Sequence, residues 1–167
     1  MTARTIDWRR AAPLLLILLL AGALRMYRID AQSLWYDEGN SARIAERSVA
    51  LIIEGAAGDI HPPLYYLLLK AWRALFGASE AGLRSFSAAC GVLTVLFVYL
   101  TGRALSSTRV ALLAAAFAAT APFAVYYGQE ARMYSQLALC AALSTWALHG
   151  LLNTGRWPRA ALYTLAT

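Results

Sequence analysis

Cysteine is scarce in this sequence, which has only two among its 167 residues. Both Cys90 and Cys140 lie inside apolar runs, where cysteine usually serves as a small hydrophobic residue. A run of lysine and arginine is also missing, because the basic residues behind the net charge of +6 are spaced between apolar segments. Internal repeats and low-complexity linkers are absent as well. These absences exclude a disulfide framework and a repeat architecture, and they argue against nucleic acid as a partner.

Hydrophobic residues dominate what is present. They make up 60% of the chain, and the mean hydropathy is +0.52. Because soluble globular domains usually contain about 45–50% apolar residues, most of this chain is expected to lie in lipid. The sequence therefore predicts an all-α membrane protein with the architecture of a multi-pass helical bundle.

Four apolar segments are long enough to span a bilayer, whose hydrocarbon core of about 30 Å requires roughly 20 helical residues. The predicted spans are residues 11–27, 86–102, 110–128 and 133–155. A further apolar helix opens at Pro158 and has only begun at Thr167. We therefore expect residues 1–167 to be the truncated N-terminal part of a single transmembrane domain.

Residues 62–77 are apolar but contain Lys70 and Arg73, each of which would cost about 2.5–3.5 kcal/mol at the centre of a bilayer. Leucine and aromatic residues repeat at helical spacing along one side of this segment, and the two cations share the other side. The proline pair at its start suits a first helical turn, and Gly77 suits a helix end. The pattern predicts an amphipathic helix that lies in the membrane interface, in the first external loop.

The basic residues favour one orientation of the bundle. If the amphipathic segment does not span, seven arginines share one side, which the positive-inside rule makes cytoplasmic. They are Arg4, Arg9, Arg10, Arg103, Arg109, Arg156 and Arg159. Eight of the nine acidic residues, all but Asp7, then lie on the other side. We therefore expect a multi-pass protein of the plasma (inner) membrane with a cytoplasmic N terminus.

The first segment has a second interpretation. Arg9 and Arg10, the apolar core that follows, and small residues at Ala21 and Ala23 also resemble a signal peptide with its cleavage site. We favour a retained anchor, and the acidic loop after it would be external in either case.

Polar residues from distant stretches gather at the predicted external ends of the helices. Asp37 and Glu38 follow the first span, and Arg84 precedes the second. The other members of this group are Asp59, His61, Glu130, Arg132 and Tyr134. Because unpaired charges near lipid are costly, charged residues at one membrane level are candidates for a functional site on the external face.

Each of these residues also has a simpler explanation. Arg84 could be an interfacial anchor, Asp59 could cap the helix after it, and His61 could be a solvated loop residue. Glu130 and Arg132 could pair with each other, although residues two apart on a helix do not face one another. Three tyrosines fit an aromatic belt as well as a sugar platform: Tyr126, Tyr127 and Tyr134.

Four motifs together resemble a known family. In order, they are "WYDEGNSARIA", "DIHPPLYYLLLKAWRALFG", "GLRSFSAACGVL" and "VYYGQEARMYS". They resemble the N-terminal part of the C-type membrane glycosyltransferases of family 39, which include protein O-mannosyltransferases and bacterial lipid A aminoarabinose transferases. The resemblance runs from about Ala11 to the end of the chain. It implies an enzyme that moves a sugar from a polyprenyl-phosphate donor to a protein, lipid or glycan acceptor, with inversion.

The resemblance also implies roles for individual residues. Asp37 matches the family's catalytic aspartate, and Arg84 matches an arginine that serves the same site. A positioned carboxylate contributes about 10²–10⁴ as a general base, and guanidinium groups stabilise a departing phosphate. We therefore expect Asp37 to be the base, Glu38 to orient the acceptor, and Arg84 and Arg132 to contact the phosphate. The remaining candidates for substrate binding are Asp59, His61, Glu130 and Tyr134.

No cofactor is expected, although some family members use a divalent metal. This sequence has Ile60 where the aminoarabinose type carries a glutamate, and His61 lacks metal-binding partners at a known spacing. The rival functions are a transporter and a non-catalytic helical scaffold. A transporter would carry ionisable residues near the middle of the membrane, whereas these spans are almost free of charge. We also expect the 167 residues alone to be inactive.

Overall fold

The computed structural model describes residues 8–56, 58, 61–155 and 157–167. Within these ranges the only regular elements are α-helices, and the predicted class of all-α membrane protein is confirmed. The helices are α1 (Trp8–Met26), α2 (Tyr36–Glu46), α3 (Val49–Ala56), α4 (Leu64–Phe76), α5 (Glu80–Leu105), α6 (Thr108–Thr120), α7 (Pro122–Gly128), α8 (Tyr134–Thr154) and α9 (Trp157–Ala166).

Two of the described helices, α5 and α8, are long and apolar enough to cross a membrane. Helices α6 and α7 pass the same test only as a pair, and they are bent by 57° at the break between them. The apolar part of α1 is Ala11–Met26, which is shorter than the roughly 20 residues of a straight span. The described chain thus offers two spanning helices, or three when the bent pair is one span.

The segment predicted as one continuous span, residues 110–128, is divided at Ala121. Pro122 occupies the first position of α7. Proline has no backbone N–H, and its ring clashes with the carbonyl four residues before it, so an α-helix breaks there. The segment predicted as a span over residues 110–128 therefore consists of two helices joined at an angle.

The loop between α1 and α5 contains more helix than the sequence analysis predicted. Helices α2 and α3 were not anticipated, whereas α4 lies inside the amphipathic segment 62–77. Gly77 ends α4 with a φ of 86°, a left-handed conformation that glycine adopts without strain. Ser79 then caps α5 by accepting a hydrogen bond from the N–H of Gly82 at 3.1 Å.

Helix α4 has two apolar sides that face different surroundings. Tyr65, Tyr66 and Leu69 are buried and belong to the core beneath α2. Four large apolar side chains of the same helix are exposed: Leu64, Leu68, Leu75 and Phe76. This exposed side is the apolar stripe seen in the sequence, and lipid is the solvent that suits it.

Helix α5 is the centre of the bundle, since α1, α4, α6, α7 and α8 all pack against it. A second core around Ala21, Val95, Ala115 and Ala119 uses small residues, which let helices approach closely in membranes. Arg84 and Arg103 lie near opposite ends of α5, about 28 Å apart at 1.5 Å per residue. That distance is close to the thickness of a hydrocarbon core, about 30 Å.

Candidate active site

The two adjacent acids open α2 and face different surroundings. Trp35 is extended, and its N–H donates to Glu38 Oε2 at 3.3 Å, so Glu38 closes the helix start as a capping carboxylate. The side chain of Glu38 is fully buried, whereas that of Asp37 is 36% exposed. Negative charge in the first turn is also favoured by the helix dipole. One acid is thus enclosed by protein, and its neighbour remains accessible.

Arg84 on α5 holds the buried acid. Its Nε donates to Glu38 Oε1 at 2.8 Å and its Nη2 donates to Oε2 at 2.6 Å, which is the bidentate geometry of a strong ion pair. Its other donors reach the carbonyls of Ile29 at 2.8 Å, Gln32 at 2.7 Å and Ser33 at 3.2 Å. All five N–H donors of the guanidinium therefore have protein acceptors. A direct contact with substrate would have to replace one of them.

The pKa of Glu38 reflects this environment. Burial raises it, but hydrogen bonds from Arg84, from the N–H of Ala131 and from the N–H of Trp35, with the nearby guanidinium charge, hold the pKa below its ordinary value. The Ala131 N–H donates to Glu38 Oε1 at 2.8 Å across 93 residues of sequence. Glu38 therefore stays ionised and joins three segments of the chain: the start of α2, α5 and the turn before α8.

Arg132 lies beside the accessible acid. Its Nη2 is 3.5 Å from Asp37 Oδ2, and its Nη1 is 3.5 Å from the Asp37 carbonyl. Its guanidinium also lies 5.8 Å from the ring centre of Tyr134. Arg132 is 5% exposed, yet its Nε has no hydrogen-bond partner among the described residues. Both guanidinium groups are buried, but that of Arg132 is held loosely and, unlike that of Arg84, has an N–H donor without a partner among the described residues.

Glu38 and Arg84 also line a polar cavity of about 640 Å³. Its lining includes Tyr126, Gln129 and Glu130. Burial raises the pKa of Glu130, and the Glu38 carboxylate raises it further, while Tyr126 and the nearby guanidinium groups oppose the shift. Among the described residues Arg132 pairs with Asp37 and not with Glu130, contrary to the simpler alternative considered from sequence.

A second cavity of about 700 Å³ runs between α4, α8 and α9. One end is polar and is lined by His61, Tyr65, Tyr66, Tyr134 and Gln136. The other end is apolar and is lined by Leu137, Cys140, Ala141, Leu165 and Ala166. A groove with one polar and one apolar end fits an amphiphilic ligand.

Two residues that line this polar end have a buried polar atom with no hydrogen-bond partner in the described chain: Tyr65 Oη and Gln136 Oε1. Arg132 Nε is also unpaired, but Arg132 is not part of the lining of either cavity. The Tyr65 hydroxyl approaches Ser87, whose own hydroxyl already donates to the Arg132 carbonyl at 3.2 Å. Burial raises the pKa of Tyr65, so this hydroxyl keeps its proton and remains a donor. Because buried polar groups are normally paired, unpaired ones that converge on a cavity indicate a place for a polar ligand.

The remaining candidates line a cavity or lie outside the described residues. Tyr126, Tyr127 and Tyr134 form a row, with ring centres 5.3 Å and 4.6 Å apart. His61 lines the second cavity, and Asp59 lies outside the described part of the chain.

A sequence profile described as dolichyl-phosphate-mannose-protein mannosyltransferase matches residues 60–167, which is more than half of the chain. The chain belongs to this family. The resemblance drawn from the four motifs is therefore confirmed. Membership in this family supports a membrane glycosyltransferase that uses a polyprenyl-phosphate-linked sugar. No curated protein and no solved structure matches the chain.

The mannosyltransferase profile covers only part of the site. Arg84, Arg132 and the second cavity lie within the matched range, whereas Asp37 and Glu38 precede it. The described residues contain no group of three His, Cys, Asp or Glu side chains close enough to hold a metal ion.

Sequence reasoning missed several groups of the site. The Ala131 N–H, Tyr65 and Gln136 carried no signal, since a backbone donor and two common polar residues have no motif of their own. Arg25, which is 1% exposed near the end of α1, did carry a signal. An ionisable residue inside an apolar segment is expensive and usually functional.

Proposed function

We propose that Asp37 is the general base of a glycosyl transfer that inverts configuration at the anomeric carbon. The observation that supports this assignment is the difference between neighbours: Glu38 is enclosed and fully hydrogen-bonded, whereas Asp37 is 36% exposed and has one loose contact, with Arg132. A carboxylate acting as a base needs free oxygen lone pairs and access to the acceptor hydroxyl. The free lone pairs and the exposure of Asp37 support this role.

In the proposed reaction the acceptor hydroxyl gives its proton to Asp37 as its oxygen attacks the anomeric carbon. The bond between that carbon and the donor phosphate oxygen breaks, and the phosphate leaves with the electron pair. Negative charge grows on the phosphate, so a fixed cation near it stabilises the transition state. The acceptor oxygen ends bonded to the sugar, and the lipid phosphate is the second product.

We assign the donor phosphate to Arg132 in preference to Arg84. Every N–H of Arg84 already has an acceptor, so its proposed role is to position Glu38 and the start of α2. Arg132 retains an unpaired Nε, and Tyr65 offers an unpaired hydroxyl nearby. Both can donate to phosphate oxygens, while the Gln136 carbonyl oxygen can accept from a sugar hydroxyl.

The second cavity supports the same arrangement. Its polar end adjoins Arg132 through Tyr134, and its apolar end gives a prenyl chain a path along α8. The first cavity, with Glu130 and Tyr126, is a proposed site for further hydroxyl contacts of the substrates. We propose that both cavities open toward the external membrane face. The family match favours this transferase over the transporter or scaffold alternative.

The test uses the full-length protein, a labelled mannosyl-phosphate polyprenol donor and Asp37→Asn. Loss of the base should lower transfer by about 10²–10⁴. The control is Asp30→Asn, which removes the same charge from an exposed position before α2 and should leave transfer unchanged. Activity of Asp37→Asn within a few fold of the parent would remove Asp37 from the role of base.

The phosphate assignment is tested separately with Arg132→Lys and Arg132→Gln. We expect a higher KM for the donor in both, with a larger rise for glutamine, because lysine keeps the charge but not the forked geometry. Arg43→Gln, an exposed change on α2, is the control. An unchanged donor KM in Arg132→Gln would contradict the assignment.

A further inference from the structure

Arg25 is one of the largest fully buried side chains of the described chain, although it stands near the end of an apolar helix. Its Nη1 donates to the carbonyl of Ala21 in its own helix at 3.1 Å. The guanidinium also crosses to α6, where Nη1 donates to the Ala119 carbonyl at 3.1 Å and Nη2 to the Ala118 carbonyl at 3.4 Å. Arg25 thus donates to backbone oxygens of its own helix and of α6, while its buried Nε has no partner among the described residues.

The break between α6 and α7 explains why those oxygens are available. In a continuous helix the Ala118 carbonyl would accept the N–H of residue 122, but that residue is Pro122 and has no N–H. The Ala119 carbonyl lies in the last turn of α6, where carbonyls lack a partner further along the helix. The positive guanidinium also suits the negative end of the α6 dipole. Arg25 therefore supplies the hydrogen bonds that the bend removes.

Two glycines leave the space that Arg25 occupies. A Cβ built on Gly91 of α5 would lie 2.4 Å from Arg25 Nε, and one on Gly128 at the end of α7 would lie 2.9 Å from its Cγ. Any larger residue at either position would displace the guanidinium. Two separate helices, α5 and α7, thus have a glycine where this one side chain needs space.

A second set of hydrogen bonds joins the end of α7 to the end of α1, with the donor after α7 and the acceptors at the end of α1. Gln129, directly after α7, donates through Nε2 to the carbonyls of Leu24 at 3.1 Å and Tyr27 at 2.9 Å. The next residues form the turn that brings the Ala131 N–H to Glu38 and Arg132 to Asp37. The bend that Arg25 stabilises therefore determines how this turn approaches the site.

We propose that Arg25 is a positioning residue, a clamp on the broken α6–α7 helix that fixes the turn carrying Arg132 beside Asp37. The hydrogen bonds from Arg25 to the backbone of α6 do not depend on which reaction the protein catalyses. Its effect on catalysis rests on the function proposed above.

The experiment measures hydrogen–deuterium exchange of the full-length protein in detergent, together with sugar transfer. Arg25→Gln should speed exchange of the amides between residues 118 and 133 by about tenfold or more, because the junction opens locally, while the middle of α8 stays protected. Arg25→Lys, which keeps the charge but not the fork, should give an intermediate rate. The donor KM should rise in the same order.

Gly91→Ala provides a second perturbation in case Arg25→Gln does not fold. Its methyl group should displace the guanidinium and loosen the same segment. The matched control is Gly22→Ala, whose Cβ would meet only Val92 at 3.9 Å and should change nothing. Unchanged exchange at 118–133 in both Arg25→Gln and Gly91→Ala, or a rise spread evenly over all helices, would overturn the clamp.

The two proposals fail in different ways. If Asp37→Asn retains transfer while Arg25→Gln loosens residues 118–133, the proposed function is wrong and the clamp is supported. If Arg25→Gln loosens this segment without changing the donor KM, the proposed link between Arg25 and Arg132 is overturned.

Discussion

Glu38→Gln tests whether the buried ion pair with Arg84 holds the site together. The substitution keeps the shape of the side chain but removes its charge. It also places an NH₂ group where the carboxylate now accepts N–H donors from Trp35, Arg84 and Ala131. At least one donor then loses its acceptor inside the protein, and the Arg84 guanidinium becomes a buried charge without a counterion.

Breaking a buried ion pair from one side costs about 3–5 kcal/mol. For a chain of this size about 1 kcal/mol corresponds to 2–4 °C in the midpoint of thermal unfolding, so the expected fall is about 6–20 °C. The measurement is thermal unfolding in detergent, followed by tryptophan fluorescence at neutral pH. Lower pH should shrink the difference, because the lowered pKa of Glu38 contributes stability that is lost as pH falls through that pKa.

Glu46→Gln is the matched control. Glu46 pairs with Arg73 at 3.1 Å, but both side chains are substantially exposed. Exposed ion pairs contribute about 0–1 kcal/mol, so this variant should lose at most about 4 °C. The reasoning would be refuted if Glu38→Gln and Glu46→Gln had the same effect, since the difference between them comes from the burial and the additional hydrogen bonds of Glu38.

Two further predictions concern the second acid and the topology. Burial raises the pKa of Glu130, so the stability of the fold falls as pH rises from the ordinary carboxyl pKa through the raised pKa. Glu130→Gln should therefore raise the unfolding temperature at neutral pH but not in acid. An unchanged or lower unfolding temperature at neutral pH would be the contrary result. With Cys90 and Cys140 replaced by alanine, an impermeant maleimide should label a cysteine at Ser79 from outside and one at Ser107 only after permeabilisation, since these exposed caps stand at opposite ends of α5; equal labelling would contradict the orientation.

The helices could be predicted because their cause is local. Apolar length and helical periodicity are properties of neighbouring residues, and they anticipated a helix at Leu64–Phe76 and long helices around α5 and α8. Pro122 was equally local, but an average over an apolar window hides one proline. Helices α2 and α3 are short and their stability depends on packing against α4, so periodicity alone did not reveal them.

The sequence predicts that the charged residues lie at the same depth in the membrane, but it does not predict which of them pair. Arg132 lies beside Asp37 and Arg84 binds the neighbouring Glu38, and this pairing depends on the direction in which each segment arrives. Glu38 is reached by an N–H from the loop before α8, 93 residues away, and such a contact has no counterpart in local sequence. The burial of Arg25 needed the α6 break and two facing glycines, which only the fold brings together.

Because Asp37 and Glu38 are adjacent on a helix, their carboxylates can have different surroundings. Successive residues of a helix point about 100° apart, so the start of α2 can direct one carboxylate into the bundle and leave the next accessible. The ion pair that anchors Glu38 also fixes the position of Asp37, because both residues belong to the same helical turn. Loss of transfer in a Glu38 variant therefore does not make Glu38 catalytic. A positioning role would lower transfer and thermal stability together, whereas loss of a base at Asp37 should lower kcat with the fold intact.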